Sequence, residues 1–365
     1  MNFSLTKNTS NKTSLTFQSS LKNKSDEKLA CLMFDKKKIL ITGGTGSLGK
    51  SLTKRLLETN ADTIRILSRN ESQQVDMESE FNDDRLRFLI GDIRDLERLK
   101  TAFEDIDIVY HAAALKHVPV IEYNPFEAIK TNVQGSQNVI DAALFQNVEK
   151  VICIGTDKAV SPLNTYGATK LLMEKLFVSA NNFLNEERHK TKFLALRYGN
   201  VVGSSGSVIP KFIKMIKNDK KITITDPNMT RFSITMNQAL DFILDCTLNG
   251  NASEIYIPKL KAYSILDIKD ALFEIFKKTD FEQVGIRPGE KLHEVLINSE
   301  ELRNSWDLND KFMISNPSKN NDDVVQNYDG KISKITDMEE YSSQYAPRHT
   351  KDELIDIISK SELVK

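Results

Sequence analysis

The stretch Thr42-Gly-Gly-Thr-Gly-Ser-Leu-Gly49 follows the apolar run Lys38-Ile-Leu-Ile-Thr42 and leads into an amphipathic segment from about Ser47 to Glu58. The apolar run predicts a buried strand and the segment predicts a helix. Glycines let the backbone turn tightly and approach a pyrophosphate, whose charge is met by the helix N-terminus. Because strand, glycine turn and helix occur in this order, the sequence predicts a dinucleotide-binding site. The expected contacts are Gly43, Thr45, Gly46, Ser47, Leu48 and Gly49.

Apolar runs and amphipathic stretches continue to alternate along the chain. Nearly continuous apolar strands between helices are typical of a parallel sheet with both faces covered. The sequence therefore predicts an α/β fold, a Rossmann-type doubly wound parallel sheet. Further strands are expected at Thr63–Leu67, Arg87–Ile90, Asp107–Tyr110, Lys150–Ile154 and Phe193–Leu196, and helices near Glu71–Phe81, Pro125–Phe145, Thr165–Phe183, Pro210–Lys217 and Asn237–Leu248.

The alternation divides the chain into four parts. Residues 34–200 are expected to form the Rossmann domain, and 201–315, where strands become short and scattered, a smaller mixed substrate-binding part. Residues 316–365 are expected to be irregular, with a closing helix over 350–361. Residues 1–33 are polar and lack both arginine and the apolar core of a secretory signal, which favours a disordered or non-native leader. An organelle-targeting peptide is the alternative, and the missing arginines count against it.

Composition excludes several classes of function. Lys and Arg number 50 against 51 Asp and Glu, so there is no basic excess to indicate nucleic-acid binding. The three cysteines, Cys31, Cys153 and Cys246, show no metal-type spacing, and no metal site is predicted. No segment approaches the roughly 18 to 20 apolar residues of a membrane span. These observations predict a soluble, cytoplasmic protein.

The residues after the second predicted strand indicate which cofactor is bound. An NAD-preferring site expects an acidic residue there, but this sequence has Ser68-Arg69. A carboxylate would repel a 2′-phosphate, whereas a guanidinium can bind it, so NADP is favoured. Asp92 and Ile93 follow the third strand and are expected beside the adenine. Ala112, in the run of small residues that ends the fourth strand, would leave room for the cofactor.

Tyr166 and Lys170 stand one helical turn apart on a predicted helix, so their side chains share a face. A free tyrosine has a pKa of about 10 and is a poor base at neutral pH. A neighbouring Lys170 ammonium and a cationic nicotinamide would lower the pKa of Tyr166. The phenolate could then take a proton from a sugar hydroxyl while hydride leaves the same carbon.

Thr156-Asp157-Lys158 follows the fifth predicted strand, where such sheets bind ligands. Simple dehydrogenases need only a hydroxyl at this point, and Thr156 supplies one. The adjacent acid and amine are explained by an elimination. Once C4 of a sugar is a ketone, Lys158 could remove the acidified C5 proton and Asp157 could protonate the leaving C6 hydroxyl.

Over residues 34–315 and at Tyr341-Ser-Ser, the chain resembles the inverting UDP-N-acetylglucosamine 4,6-dehydratases. These are extended short-chain dehydrogenase/reductases and include the first enzyme of pseudaminic acid synthesis. The resemblance rests on Ile39–Ser47, Ala112–Pro119, Glu122–Pro125, Thr156–Lys158, Tyr166–Lys170, Arg197–Gly203, Met229–Phe232 and Arg287–Glu294. It implies a 4-keto-6-deoxy product inverted at C5, a homo-oligomer, a tightly bound, recycled NADP, and UDP-N-acetylglucosamine or a close nucleotide sugar as the substrate.

The resemblance also implies roles for single residues. Asp157, Lys158 and Tyr166 match the family's catalytic residues, and Lys170 would support the cofactor. Lys116 would contact both cofactor and substrate. The expected substrate contacts are Lys116, Asn200, Val201, Arg231, Arg287 and Glu290, together with the Gly203–Gly206 turn.

Two positions depart from the family pattern. Gly155 stands where serine is expected, and Ser204-Ser205 replaces the more usual Ser-Arg, which bears on the diphosphate or sugar contacts. His117 and His293 receive no chemical role.

Other functions stay open at this point. A sugar-nucleotide 4-epimerase or a simple oxidoreductase would use Tyr166 and Lys170 without needing Lys158. A GDP-sugar could replace the UDP-sugar. A non-catalytic NADP-binding scaffold would need none of these catalytic groups intact.

Overall fold

The computed structural model describes residues 34–185, 188–204 and 207–361, so the leader predicted at 1–33 lies outside the described residues. A ten-stranded sheet forms the centre of the described chain. Its parallel strands, numbered in chain order, are β1 (Lys38–Thr42), β2 (Thr63–Ser68), β3 (Leu86–Ile90), β4 (Ile108–His111), β5 (Lys150–Ile154), β6 (Lys192–Leu196) and β10 (Ile255–Pro258).

These strands lie in the order β3-β2-β1-β4-β5-β6-β10. The order reverses between β1 and β4, and a crevice opens at the carboxyl ends of the strands beside such a reversal. Within β1, β4 and β5 nearly every side chain is buried, because helices cover both faces of the sheet. The predicted doubly wound parallel sheet is therefore confirmed.

Residues beyond position 200 complete this sheet. Three antiparallel strands continue it past β10: β14 (Ser305–Asp307), β15 (Lys311–Ile314) and β16 (Ser333–Lys334). The division at 200/201 stays a prediction. The smaller sheets join β7 (Asn200–Val201) to β9 (Thr230–Ile234) and β11 (Lys261–Ser264), β8 (Ile222–Ile224) to β12 (Phe281–Gln283), and β13 (Val295–Ile297) to β17 (Tyr341–Ser342).

The helices follow the predicted pattern, with most bounds shifted by one or two residues. The helix predicted over 350–361 occupies Lys351–Ser359 and closes a second apolar core with Ile268 and Leu272. The α-helices are α1 (Ser47–Leu57), α2 (Glu71–Phe81), α3 (Leu96–Ala102), α4 (Val118–Tyr123), α5 (Pro125–Ala128), α6 (Gly135–Phe145), α7 (Thr165–Ala180), α8 (Val208–Lys217), α9 (Met236–Asn249), α10 (Ile265–Ile275), α11 (Asn321–Gln326) and α12 (Lys351–Ser359).

The single helix predicted over Pro125–Phe145 is interrupted by a π-helical segment at Ile129–Gln134. The buried Asn132 side chain holds this segment in place. It accepts from the Leu115 amide at 2.7 Å and donates to the Leu115 carbonyl and the Thr169 hydroxyl, each at 3.0 Å. Tertiary hydrogen bonds therefore fix a wide turn that local sequence does not reveal.

A buried arginine ties α7 to the sheet and to the C-terminal half. Arg197 at the end of β6 is fully buried and pairs with Glu174 of α7 and with Glu301. It also donates to the Leu296 carbonyl at 2.8 Å. A buried guanidinium needs such complete pairing, because an unpaired buried charge is strongly destabilising. These contacts of Arg197 hold α7, which begins with Thr165 and Tyr166, against the sheet.

No helix within the described residues is both long and apolar enough to cross a membrane.

Candidate active site

A cleft of about 670 Å³ opens at the carboxyl ends of the parallel strands. The loops that follow β1, β2, β3, β4, β5 and β6 line it, as the reversal of strand order requires. The predicted residues that line it are Gly43, Thr45, Gly46, Ser47, Leu48, Gly49, Ser68, Arg69, Asp92, Ile93, Ala112, Lys116, Thr156, Asp157, Lys158, Tyr166, Asn200 and Val201.

The glycine turn at one end of the cleft admits no side chains at two points. Gly43 has a φ of +66°, and a Cβ there would lie 2.8 Å from the Ala113 Cα. A Cβ on Gly49 would lie 2.4 Å from the carbonyl oxygen of Gly44. The bare backbone leads into α1, whose N-cap is Gly46. This arrangement fits a dinucleotide pyrophosphate at a helix N-terminus.

Arg69 lines the cleft beside the next strand end, and its side chain is 57% exposed. Its Nη1 lies 3.8 Å from Asp92 Oδ2, a long contact. Arg94 binds Asp92 more closely, with Nε at 3.0 Å and Nη2 at 2.7 Å from Oδ2. Burial opposes ionisation of Asp92, yet the Arg94 hydrogen bonds outweigh it and hold the pKa of this carboxyl below its usual range. The Arg69 guanidinium therefore faces the cleft, and its ion pair with Asp92 is weak.

A buried histidine supports the floor of the cleft. His111 at the end of β4 is fully buried, with Nδ1 2.8 Å from the Thr42 hydroxyl and Nε2 3.0 Å from that of Ser136. Burial lowers the pKa of His111 to about 3, and the charge of Lys170 adds to this effect. The imidazole is therefore neutral at physiological pH and acts as a hydrogen-bonding strut beside the glycine turn. No role was predicted for His111 from the sequence.

Tyr166 and Lys170 begin α7, which Asn164 caps by accepting from the Gly167 amide at 2.8 Å. Tyr166 lines the cleft, but Lys170 does not. The Lys170 ammonium is buried and donates to the Ile154 carbonyl at 2.7 Å. Burial lowers the pKa of Lys170.

The pKa of Tyr166 is raised, and the expected lowering by Lys170 and a cationic nicotinamide together stays a prediction. Burial of the phenol is the largest cause, and the charge of Lys158, not of Lys170, opposes it. In the described structure, Lys158 is thus the cation that favours the phenolate.

The second end of the cleft gathers acid and base groups. Thr156 caps a 3₁₀ turn and donates from its hydroxyl to Asp157 Oδ1 at 2.8 Å. The Lys158 ammonium donates to the same oxygen at 3.0 Å and to Asn200 Oδ1 at 3.4 Å. The Asp157 side chain is 1% exposed, and its Oδ2 has no hydrogen-bond partner. An acid and an amine in direct contact therefore lie beside Tyr166.

Lys158 is charged in this arrangement. Burial favours the neutral amine, but the carboxylates of Asp157 and Glu294 outweigh it and raise the pKa of Lys158. The predicted role as a base requires a neutral amine, so the proton must first leave Lys158.

Three predicted substrate residues do not line the cleft. Arg231 is buried on β9, where it donates to the Thr230 carbonyl at 2.7 Å. Arg287 and Glu290 pair at 3.4 Å on a loop before β13, and the Arg287 side chain is 54% exposed. This loop is joined to the start of α7, because Asn164 donates to the Gly289 carbonyl at 2.8 Å. Of the predicted Gly203–Gly206 turn, residues 205 and 206 lie outside the described residues.

Glu294, which was not predicted from the sequence, is almost fully buried and reaches Lys158 from a segment 136 positions later. It stands at the end of the Arg287–Glu294 motif, but no local pattern marks it as a partner of Lys158. His117, which received no role, lines the cleft as the N-cap of α4. His293 bonds the Thr230 hydroxyl at 2.8 Å, in keeping with a structural position.

The described residues contain no cluster of three or more His, Cys, Asp or Glu side chains that could hold a metal ion.

Comparison with known proteins identifies close relatives. The family described as "Polysaccharide biosynthesis protein" matches residues 39–316. An inverting UDP-N-acetylglucosamine 4,6-dehydratase of Campylobacter jejuni is 46% identical over 90% of this chain and 99% of its own. A UDP-glucose 4-epimerase of Rickettsia bellii is 39% identical over 91% of this chain and 98% of its own.

A solved structure, Pen from Bacillus thuringiensis, is similar over 90% of this chain and 99% of its own, with a TM-score of 0.83 and 39% identity. The predicted resemblance is thereby confirmed. The chain belongs to the polysaccharide biosynthesis protein family and is similar over nearly its whole length to an inverting UDP-N-acetylglucosamine 4,6-dehydratase.

Proposed function

We propose that this protein is a hydro-lyase that converts UDP-N-acetylglucosamine to a UDP-4-keto-6-deoxy-hexosamine, with inversion at C5. The observation that carries the proposal is the direct contact of the Lys158 ammonium and the Asp157 carboxylate, at 3.0 Å, in the cleft that also holds Tyr166. Transfer of a hydride needs only the tyrosine and its support. An acid and a base in contact are what an elimination requires in addition.

A nicotinamide cofactor fits the cleft, because the side-chain-free backbone at Gly43 and Gly49 leaves room for a pyrophosphate at the start of α1. When bound, this cofactor accepts a hydride and later returns it. We propose NADP, held tightly and recycled. Arg69 supports this choice, because its exposed guanidinium can bind a 2′-phosphate, while the nearby Asp92 carboxylate is already neutralised by Arg94.

The residues of the cleft divide the proton transfers among them. Tyr166 takes the proton of the C4 hydroxyl, assisted by the positive charge of Lys158. Proton transfer from Lys158 to Asp157 across their 3.0 Å contact gives a neutral amine and a neutral acid together. The amine then takes the C5 proton while the acid gives its proton to the departing C6 hydroxyl, which leaves as water. This step returns Lys158 to the ammonium and Asp157 to the carboxylate.

Inversion follows from the return of a proton to C5. The Lys158 ammonium formed in the elimination can deliver it, and inversion requires that the sugar present to Lys158 the face of C5 opposite to the one from which the proton left. Asn200 keeps the ammonium inside the cleft by accepting at 3.4 Å. We propose that Lys116, Asn200 and Val201 contact the substrate directly, and that Arg231, Arg287 and Glu290 approach it from the neighbouring loop and strand.

Product analysis by NMR in deuterated water tests this function. The expected result is a 4-keto-6-deoxy sugar that has lost one water and carries deuterium at C5 with inverted configuration. An isomer of unchanged mass would contradict the dehydratase. UDP-glucose and a GDP-sugar, incubated in parallel, measure the preference for sugar and nucleotide.

The second candidate is a sugar-nucleotide 4-epimerase. The 39% identical UDP-glucose 4-epimerases of Rickettsia species support it, since they match the chain over 91% of its length. An epimerase would use Tyr166 without the Asp157–Lys158 pair. In the NMR experiment it would give an unchanged mass and no deuterium at C5.

We further propose a cytoplasmic homo-oligomer and a place at the start of pseudaminic acid synthesis. The exposed apolar side chains Val120, Tyr123, Phe126 and Phe145 on α4, α5 and α6 support self-association, since a monomer gains nothing by presenting them to water. Light scattering after size exclusion measures the oligomer, and a monomer at micromolar concentration would contradict it.

A further inference from the structure

Glu294 lies behind the acid–base pair and does not line the cleft. Its side chain is 4% exposed, and its Oε1 lies 3.6 Å from the Lys158 ammonium. The other oxygen, Oε2, is buried without a hydrogen-bond partner. A buried carboxylate with an unsatisfied oxygen is costly. The position of Glu294 therefore calls for an explanation beyond packing.

Glu294 is shared by two cations. Arg231 Nε lies 3.6 Å from the same Oε1 that Lys158 approaches. Asp157, the preceding residue in the same 3₁₀ turn, binds the Lys158 ammonium at 3.0 Å. Two carboxylates and two cations thus form one group of charges, in which the carboxylates are buried, Lys158 is partly exposed, and Asp157 and Lys158 line the cleft.

The backbone of Glu294 is fixed by the C-terminal segment. The Glu294 amide donates to the Ser343 hydroxyl at 2.9 Å, and the Ser343 amide donates to the Glu294 carbonyl at 2.7 Å. Strands β13 and β17 pair directly after these contacts. These two backbone hydrogen bonds anchor Glu294, whose carboxylate lies 3.6 Å from the Lys158 ammonium.

Charged and titratable groups surround Glu294 from every packed element. Titratable side chains reach Glu294 from five elements: the 3₁₀ turn after β5, the start of α7, strand β9, strand β11 and the loop before β13. They are Lys158, Tyr166, Arg231, Tyr263 and Lys291, with Asp157 beyond Lys158.

We propose that Glu294 is a positioning residue that holds the Lys158 ammonium against Asp157 and sets the pH at which Lys158 becomes a base. The inference rests on the proposed function, since it assigns Glu294 to the same proton transfer. Glu294 acts through Lys158 and touches no reacting atom. With Glu294 ionised, Lys158 keeps its proton until Asp157 accepts it, so the base and the acid form together.

The reactivity of the Lys158 amine measures this effect without any substrate. Only a neutral amine is acylated, so limited acetylation with acetic anhydride from pH 7 to pH 11, followed by peptide mass spectrometry, gives the labelling midpoint of Lys158, defined as the pH at which half of it is labelled by a fixed dose of reagent. Lys158 is accessible to a small reagent, because its side chain is 29% exposed and lines the cleft.

Glu294→Gln keeps the shape of the side chain and removes its charge. We expect its labelling midpoint to fall, with Lys158 acylated roughly tenfold faster at a given pH, because one nearby carboxylate raises the pKa of an amine by about one unit or more. The pH at which dehydration reaches half its maximum should fall in the same direction. A merely structural glutamate would lower activity or stability and leave both midpoints in place.

Glu300→Gln is the matched control, since Glu300 is exposed and pairs with Arg303 on the surface at 3.1 Å. An unchanged Lys158 midpoint in folded Glu294→Gln overturns the proposal. If that variant fails to fold, Glu294→Asp decides: its carboxylate is withdrawn by one methylene, so the midpoint should fall by a smaller amount, and no fall refutes the inference.

Failure of this inference and failure of the proposed function are separate outcomes. Acetylation reports on Lys158 in the full-length protein whether or not any sugar is dehydrated. Absence of a dehydrated product with a shifted midpoint would refute the dehydratase and leave the Glu294–Lys158 coupling standing. A dehydrated product with an unshifted Lys158 midpoint would support the dehydratase and refute the Glu294–Lys158 coupling.

Discussion

The glycine turn and the acid–base group occupy two ends of one cleft, yet they are built in opposite ways. The turn is a single run of eight residues, Thr42 to Gly49, between a strand and the helix that follows it. The acid–base group joins Asp157 and Lys158 to Arg231 on β9 and to Glu294, which precedes β13. Local motifs can specify the first, whereas the second exists only when distant segments pack together.

The two ends also differ in charge. The buried polar group beside the glycine turn is the neutral His111, held by two hydroxyls. The opposite end holds two carboxylates and two cations within 4 Å of one another in pairs. The neutral histidine and the bare backbone of the glycine turn suit a site that binds an anion. The coupled charges at the other end suit a site that transfers protons. The predictions below test this contrast.

Lys158→Ala should have the largest effect. We expect dehydration to fall by roughly a thousandfold or more, because a positioned general base contributes about 10² to 10⁴ in rate. Cofactor affinity should stay within about twofold, since the glycine turn is untouched. Product mass spectrometry and cofactor titration measure the two, with Lys259→Ala, an exposed lysine paired with Asp307, as the control. Dehydration at near wild-type rate would show that Lys158 is not the base.

His111→Gln should change how stability depends on pH. The folded pKa of His111 is about 3, below its ordinary value of 6.5, so its contribution is complete above pH 6.5 and is lost as the pH falls toward 3. We expect the wild-type protein to lose about 1.4 kcal/mol more than the variant for each pH unit between 6 and 4. Urea titrations across this range measure the difference. Parallel curves would refute a neutral buried histidine, and His189→Gln, which alters a partly exposed imidazole, is the control.

Gly49→Ala tests the fit of the glycine turn. Its Cβ would meet the Gly44 carbonyl oxygen at 2.4 Å, so the backbone must shift. We expect a loss of about 1–3 kcal/mol in the free energy of unfolding and roughly tenfold weaker cofactor binding. Gly46→Ala, whose Cβ would lie 3.3 Å from the Gly43 carbonyl oxygen, should lose less. Equal losses in the two variants would contradict the close approach at Gly49.

Arg69→Ala should have the smallest effect, confined to the choice of cofactor. We expect the preference for NADP over NAD to fall by roughly tenfold, as for the loss of one charge-assisted contact. Arg87→Ala, an exposed arginine on β3, should leave the ratio unchanged. Calorimetry measures the dissociation constants for NADP and NAD, and their ratio tests the prediction. An unchanged ratio in Arg69→Ala would show that Arg69 does not bind the 2′-phosphate.

Local sequence patterns predict the parallel sheet, the glycine turn and the candidate pairs Tyr166–Lys170 and Asp157–Lys158. Each depends on neighbours along the chain: apolar runs make strands, glycines permit the turn, and Tyr166 and Lys170 share one helical face. Asp157 and Lys158 were identifiable because they follow a predicted strand, where ligands bind in such sheets.

Other features arise only when distant segments pack together, and no local pattern contains them. The helix predicted over Pro125–Phe145 is interrupted by a π-helical segment around Asn132. The Lys170 ammonium donates to the Ile154 carbonyl, and burial raises the pKa of Tyr166. Packing also brings Glu294 to Lys158. Hydrogen bonds and charge pairs between distant segments depend on three-dimensional distance and on the exclusion of water, and neither can be read from the order of residues.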